Sequence, residues 1–137
     1  MNYGYAELNG TELDLQGEPE NDRYFIQLYH HVAAAVDLNG KKVLEVGSGR
    51  GGGASYVARI MNPSEMVGLD YSANAVKFSN KNNADDNLTF KEGDAENLPF
   101  NDDTFSFRNV KPSPFRSGSI ILAFPLFIAG LFFILGA

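Results

Sequence analysis

Three carboxylic acids in this chain stand at the ends of short runs of β-forming residues. Glu45 lies in "KKVLEVG", Asp70 closes "MVGLD" and Asp94 closes "LTFKEGD". Behind the first run comes "GSGRGGG", with five glycines in the seven residues 47–53. Backbone this bare lets a ligand approach closely, and the N–H groups at the start of a helix favour a polar one. The glycines alone leave its identity open. Gly47, Gly49 and Gly52 satisfy the dinucleotide pattern, whereas Gly47, Gly49 and Gly51 satisfy the shorter spacing of methyl-donor folds. A Walker loop is excluded, because no Lys-Ser or Lys-Thr follows.

The acids separate these possibilities. A dinucleotide fold normally holds an apolar side chain where Glu45 stands, and a buried anion would repel a pyrophosphate. A ligand bearing an ammonium and a sulfonium would be attracted. Asp70, 23 positions after Gly47, is placed to accept from both hydroxyls of a ribose. Asp94 can accept from an adenine amino group while the N–H of Ala95 donates to a ring nitrogen. Each feature also has an ordinary reading: Glu45 as a paired strand acid, Asp70 as a helix cap, Asp94-Ala95 as a plain turn. Three acids at the ends of successive strands, with glycines after the first, favour S-adenosylmethionine over a phosphate ligand.

The elements that must hold these residues follow from periodicity. Residues 1–20 are polar and broken by Gly4, Gly10, Gly17 and Pro19, an extended lead-in. Asn21 or Asp22 can cap a helix carrying Phe25, Leu28, Tyr29, Val32, Ala35 and Val36 at helical spacing, with Asn39-Gly40 as its stop. A strand ends at Gly47, and Ala54, Val57, Ala58 and Met61 mark the inner face of a second helix. A strand over 66–70, a helix capped by Ser72 over roughly 73–83 and a third strand at "LTFKEGD" complete the alternation, and "DDTFSF" would begin a fourth. Strand–helix alternation at this spacing predicts an α/β fold: a Rossmann-like, doubly wound parallel sheet. The expected divisions are a lead-in or lid over 1–20, a binding domain over 21–110 and a divergent tail over 111–137.

At 137 residues the chain is one domain at most. Its formal charge of −6, with no basic patch, argues against a nucleic-acid partner. With no cysteine there is no disulfide framework and no thiolate metal site, which fits a reducing compartment. The N-terminus "MNYGYAELNG" shows no secretory signal.

With those residues in place, the chain resembles the class I S-adenosylmethionine-dependent methyltransferases. "LEVGSGRGG", "VGLDYS" and "GDAENLPF" look like the first three motifs of that superfamily. "MNYGY", "NDRYFIQLYHHVA" and "GGGASYVAR" narrow the likeness to the subgroup that methylates lipid-like hydroxyls, such as the phthiotriol and phenolphthiocerol dimycocerosate methyltransferases. The resemblance covers roughly residues 2–105. It implies transfer of a methyl group to a lipid-like or other small acceptor, by O-methylation. It implies that Glu45, Gly47, Ser48 and Gly49 hold the methionine part of the donor, Asp70 the ribose, Tyr71 one adenine face, and Asp94 and Ala95 the adenine edge. Tyr3 and Tyr5 would fold over the donor as a lid, or else pack on the first helix. His30 and His31 fall on that helix and read as structural, so the catalytic residues stay unassigned.

After "NDDTF" the likeness stops. "SFRNVKPSPFRSG" carries charges and prolines that a buried parallel strand rejects. Then come 21 residues without a charge, Ser117 to Ala137. Three readings of this tail stand side by side: a C-terminal membrane helix, the product of a shifted frame or splice junction, or a core helix on the half sheet. Its length suffices to cross a bilayer, and Lys111 and Arg116 before it would keep the globular part cytoplasmic. The chain is expected to be a truncated methyltransferase. Its rivals are a non-catalytic donor-binding module and a dinucleotide oxidoreductase.

Overall fold

A computed structural model describes residues 4–6, 13–101, 104, 105 and 132–136. A 3-10 turn at Glu20–Asp22 leads into α1 (Arg23–Ala33). Then follow β1 (Lys42–Val46), α2 (Gly52–Met61), β2 (Glu65–Asp70), α3 (Ala73–Asn82), β3 (Leu88–Glu92) and β4 (Phe132–Gly136). The sheet order is β3-β2-β1-β4. The first three strands are parallel, as the alternation predicts, and β4 runs antiparallel to β1.

Side-chain alternation along the strands divides the core. Val43, Met66, Leu88 and Phe90 join one cluster with Ile26 and Ala33 of α1 and Ala54, Tyr56, Val57 and Ala58 of α2. Leu44, Val46, Val67 and Leu69 form the other, covered among the described residues by Leu98, Phe100 and Phe105 from the chain after β3. Phe100 and Phe105 meet edge to face at 5.1 Å. Val43 and Leu44 are both fully buried, each worth about 1.5–3 kcal/mol of apolar transfer. β1 is therefore the centre of both layers. Because Glu45 shares the parity of Val43, its side chain goes to the helix-covered face. There its register partner on β2 is Gly68, whose vacant side is filled by the Phe90 ring.

The helix ends follow local chemistry. Ser72 accepts from the Ala75 N–H at the start of α3, as its residue type predicts. α2 ends on Asn62 at φ +50°, a left-handed position that Asn tolerates. α1 stops at Ala33, before the predicted Ala35 and Val36, although Val36 still packs against the core. Tyr56 of α2, fully buried, was not among the predicted inner-face residues.

The tail corrects one expectation. Phe132–Gly136 forms a strand, not part of a membrane-crossing or core helix, and no helix among the described residues is long and apolar enough to cross a membrane. The physical reason lies at β1, whose outer edge would otherwise present unpaired N–H and C=O groups. A five-residue ladder from Lys42↔Gly136 to Val46↔Phe132 supplies their partners. Thr104 and Phe105 lie in a bend, where a fourth strand was expected. The rest of the tail, residues 117–131 and Ala137, and most of "DDTFSF" lie outside the described residues.

Candidate functional site

The carboxyl ends of β1, β2 and β3 lie side by side, and each delivers one predicted acid. Glu45, the second-last residue of β1, is completely buried. Its Oε1 accepts from the Tyr29 hydroxyl of α1 at 3.0 Å, whereas Oε2 is buried with no hydrogen-bond partner. Burial pushes the Glu45 carboxyl up to about 7. The Tyr29 hydrogen bond opposes that rise and the nearby Asp70 charge adds to it. Tyr29 itself is pushed up by burial and by the Glu45 charge, so it stays protonated and acts as a donor.

The glycine turn after β1 is tied down at nearly every peptide group. The N–H groups of Gly47 and Ser48 both reach the Leu69 carbonyl, at 2.7 and 3.0 Å. Gly49 N–H donates to Asp70 Oδ2 at 2.7 Å, and Gly51 N–H to the Ser48 carbonyl at 3.0 Å. From α3, the Ser79 hydroxyl shares its proton between the Ala75 carbonyl of its own helix at 2.9 Å and the Gly49 carbonyl at 3.1 Å, and Asn83 just beyond the helix donates Nδ2–H to the Arg50 carbonyl at 2.7 Å. Gly47, Gly49 and Gly51 all take left-handed φ values, between +56° and +80°. Gly51 has a second constraint: a Cβ there would stand 2.5 Å from Cζ of Phe90. The Ser48 hydroxyl is buried without a partner, like Glu45 Oε2. Two unmet polar groups thus sit beside a preorganised turn.

Asp70 ends β2 half-buried. Its Oδ2 holds Gly49, and its Oδ1 accepts from Ser72 N–H at 2.9 Å. It stitches the glycine turn to the start of α3, while Ser72 is the helix cap. Each of its oxygens keeps a second lone pair for a ligand hydroxyl. Tyr71 follows, 81 % exposed, its ring open to a stacking partner. Asp94 and Ala95 lie just past β3, next to β2 through a Gly93 N–H bond to the Asp70 carbonyl at 3.0 Å. The Asp94 carboxylate accepts from Glu96 N–H at 2.9 Å, a tight turn that leaves Ala95 exposed.

Tyr5 packs against α1: its N–H bonds to the Tyr24 carbonyl and its ring stacks on His31 at 4.2 Å. Tyr3 lies outside the described residues. His30 Nδ1 pairs with the Tyr56 hydroxyl at 2.9 Å, a helix-to-helix tie. A cavity of about 420 Å³ opens beside Tyr5, Gln27, His30 and His31, away from the glycine turn. Among the described residues its walls carry no acid, so the buried Glu45, with Asp70 on the next strand, marks the better candidate site.

Four residues of this site were not singled out by sequence reasoning: Tyr29 as the partner of Glu45, Gly53, Ser79 and Asn83. Tyr29 appeared only as an apolar member of a helix face. The other three touch the site through contacts between elements, which spacing along one element does not report.

Residues 43–110 match the methyltransferase domain family. A fatty-acid O-methyltransferase of Mycolicibacterium smegmatis is 46% identical over 114 residues, which are 82% of this chain and 42% of that protein. A phthiotriol/phenolphthiotriol dimycocerosates methyltransferase of Mycobacterium tuberculosis is 45% identical over 105 residues, 77% of this chain and 39% of that one. The chain thus spans about two fifths of the length of the curated relatives it matches. Among solved structures, the [4+2]-cyclase SpnF superposes with a TM-score of 0.59 at 26% identity, over 77% of this chain and 38% of that chain. A chain from the complex of the Haloferax volcanii Trm112 methyltransferase activator with a methyltransferase gives 0.54 at 28% identity, over 61% and 37%. The parallel strands, the tied glycine turn and the matched sequence agree: residues 43–110 form a methyltransferase domain.

Proposed function

We propose that this chain carries the donor half of an S-adenosylmethionine-dependent methyltransferase whose acceptor is lipid-like and methylated on oxygen. The observation that carries the reading is Glu45: a fully buried carboxyl with one oxygen unmet, beside a second carboxylate on the next strand. Buried acid without a cation is costly, and an ammonium- and sulfonium-bearing ligand offsets that cost. A dinucleotide would bring its pyrophosphate against the same acid, which disfavours the oxidoreductase reading.

When bound, the donor supplies a methyl group made electrophilic by its sulfonium. The residues present fit such a molecule. Glu45 Oε2 is available to an ammonium, Ser48 Oγ to the methionine part, the free lone pairs of Asp70 to ribose hydroxyls, and Tyr71 to an adenine face. Asp94 and Ala95 would read an adenine edge. The described residues orient and desolvate; the hydrogen bonds on Gly47, Ser48, Gly49 and Gly51 fix the turn before any ligand arrives, which lowers the ordering cost of binding. No described side chain is assigned as a base for the acceptor. The relatives are named for fatty-acid O-methylation and for phthiotriol/phenolphthiotriol dimycocerosates, which supports a lipid-like oxygen acceptor.

Calorimetry with S-adenosylmethionine and with its demethylated product, beside a labelled-methyl assay on a long-chain fatty acid, tests the reading. Binding lost by about 1–3 kcal/mol in both Glu45→Ala and Asp70→Ala supports it. Unchanged affinity in both variants, or NAD competing for the site, overturns it. A second reading is a donor-binding module without turnover. The likeness to SpnF, a [4+2]-cyclase, supports it, since one fold can host more than one chemistry. Tight binding with no methyl transfer would select it.

A further inference from the structure

The fifth glycine of the turn has no role in the ligand patterns, yet the structure gives it a specific one. Gly53 sits in the first turn of α2 directly beneath the Tyr29 ring. A Cβ at Gly53 would fall inside that ring, overlapping Cζ, Cε1 and Cε2. Only a bare backbone lets a tyrosine from α1 cross α2 and reach the β1 carboxylate. At the end of that path the hydroxyl meets Oε1 of Glu45 at 3.0 Å and leaves Oε2 unmet.

We infer that Tyr29, seated on Gly53, is a positioning residue: its hydroxyl fixes Oε1 of Glu45 so that Oε2 is held for the cationic end of the donor. This rests on the donor reading above. The division of labour is chemically specific. A carboxylate free to turn would alternate its oxygens between protein and ligand, whereas one pinned by an O–H donor presents a single oxygen. Tyr29 also favours the charged form of Glu45 against burial, and burial beside Glu45 keeps Tyr29 itself protonated. The groups facing Glu45 are Tyr29 from α1 and Asp70 from β2. The residue types of β4, Phe-Phe-Ile-Leu-Gly, include nothing that titrates.

Tyr29→Phe keeps the ring on Gly53 and removes only the hydroxyl. The Glu45 carboxyl is followed by carbon NMR in labelled protein, assigned with Glu45→Gln, and donor binding is followed by calorimetry across pH. In the wild type both should change around pH 7. In Tyr29→Phe the carboxyl midpoint should rise by roughly one pH unit, and affinity near neutrality should fall at least roughly fivefold and recover in part about two pH units higher, where Glu45 is ionised but no longer pinned. An unmoved midpoint, or an affinity unchanged at both pH values, overturns the inference. Gly53→Ala, which displaces the ring, should act in the same direction. Should neither variant fold, fluorotyrosine in the wild-type chain makes a stronger O–H donor and must lower the midpoint; no movement overturns the inference. If the wild type binds no S-adenosylmethionine but the midpoint still responds to Tyr29, the donor reading alone fails.

Discussion

Replacing Glu45 by Gln should make the ligand-free protein more stable at alkaline pH and leave it nearly unchanged in mild acid. Gln keeps the shape and can still accept from Tyr29 through its amide oxygen, but it cannot ionise. The wild-type carboxyl titrates at about 7 in the folded chain against 4.5 for an unperturbed one, with burial the main cause. The unfolded chain therefore releases this proton first. Between those two values the folded state binds more protons, so stability falls as pH rises, and it levels off above about 7. At about 1.4 kcal/mol per tenfold difference in proton affinity, the loss amounts to about 3 kcal/mol. For a domain whose whole stability is of order 5–15 kcal/mol, that is a large share. Urea unfolding of both proteins at a series of pH values measures it, because the difference between the curves cancels every other titrating group. The advantage of Glu45→Gln should grow from near zero at about pH 4 to about 3 kcal/mol at about pH 8. Two parallel curves would refute the buried, titrating Glu45 on which the candidate site rests.

Other perturbations probe the frame around that acid. Asp70→Asn removes a like charge near Glu45 and should lower the Glu45 midpoint in the same NMR titration, since Asp70 now raises it. Gly51→Ala meets both a left-handed φ of +79° and the Phe90 ring, so urea unfolding should register a loss of about 2–4 kcal/mol. Ser79→Ala leaves the Gly49 carbonyl without its side-chain partner; a loss of about 1 kcal/mol is expected, with faster amide exchange at Gly49 and Gly51. Deleting Phe132–Gly136 uncovers the edge of β1 and should raise self-association in sedimentation experiments.

Most of the fold was legible because it is written locally. Alternating apolar runs and Ser72 as a cap report their own elements, and the three acids at strand ends report the rim of the sheet. Two kinds of feature were not local. Tyr29 reads as one more apolar position on α1, and its bond to Glu45 exists only once α1 crosses α2 at Gly53. Ser79 likewise looks like a polar residue misplaced in a helix until its carbonyl partner on the glycine turn is known. The tail failed for a related reason. Twenty-one uncharged residues are long enough for a bilayer, but whether Phe132–Gly136 becomes helix or strand depends on a free strand edge elsewhere in the fold, which hydropathy along one segment does not contain.

The energetics of Glu45 bear on function as well as stability. A residue that costs about 3 kcal/mol when ionised, and that an uncharged isostere would relieve, is a poor choice for holding β1 in place. The apolar residues of that strand do so without help, Val43 and Leu44 being fully buried. What the carboxylate offers that Gln cannot is negative charge in a dry place, one oxygen fixed by a tyrosine and the other unmet. A cation entering there regains the cost of ionisation as binding free energy, and it should bind more tightly as pH rises through about 7. A neutral or anionic ligand gains nothing from the same arrangement. The pH dependence of affinity therefore separates ligand classes without knowledge of the acceptor: tightening with pH marks a cationic donor, and weakening marks a ligand that needs Glu45 protonated.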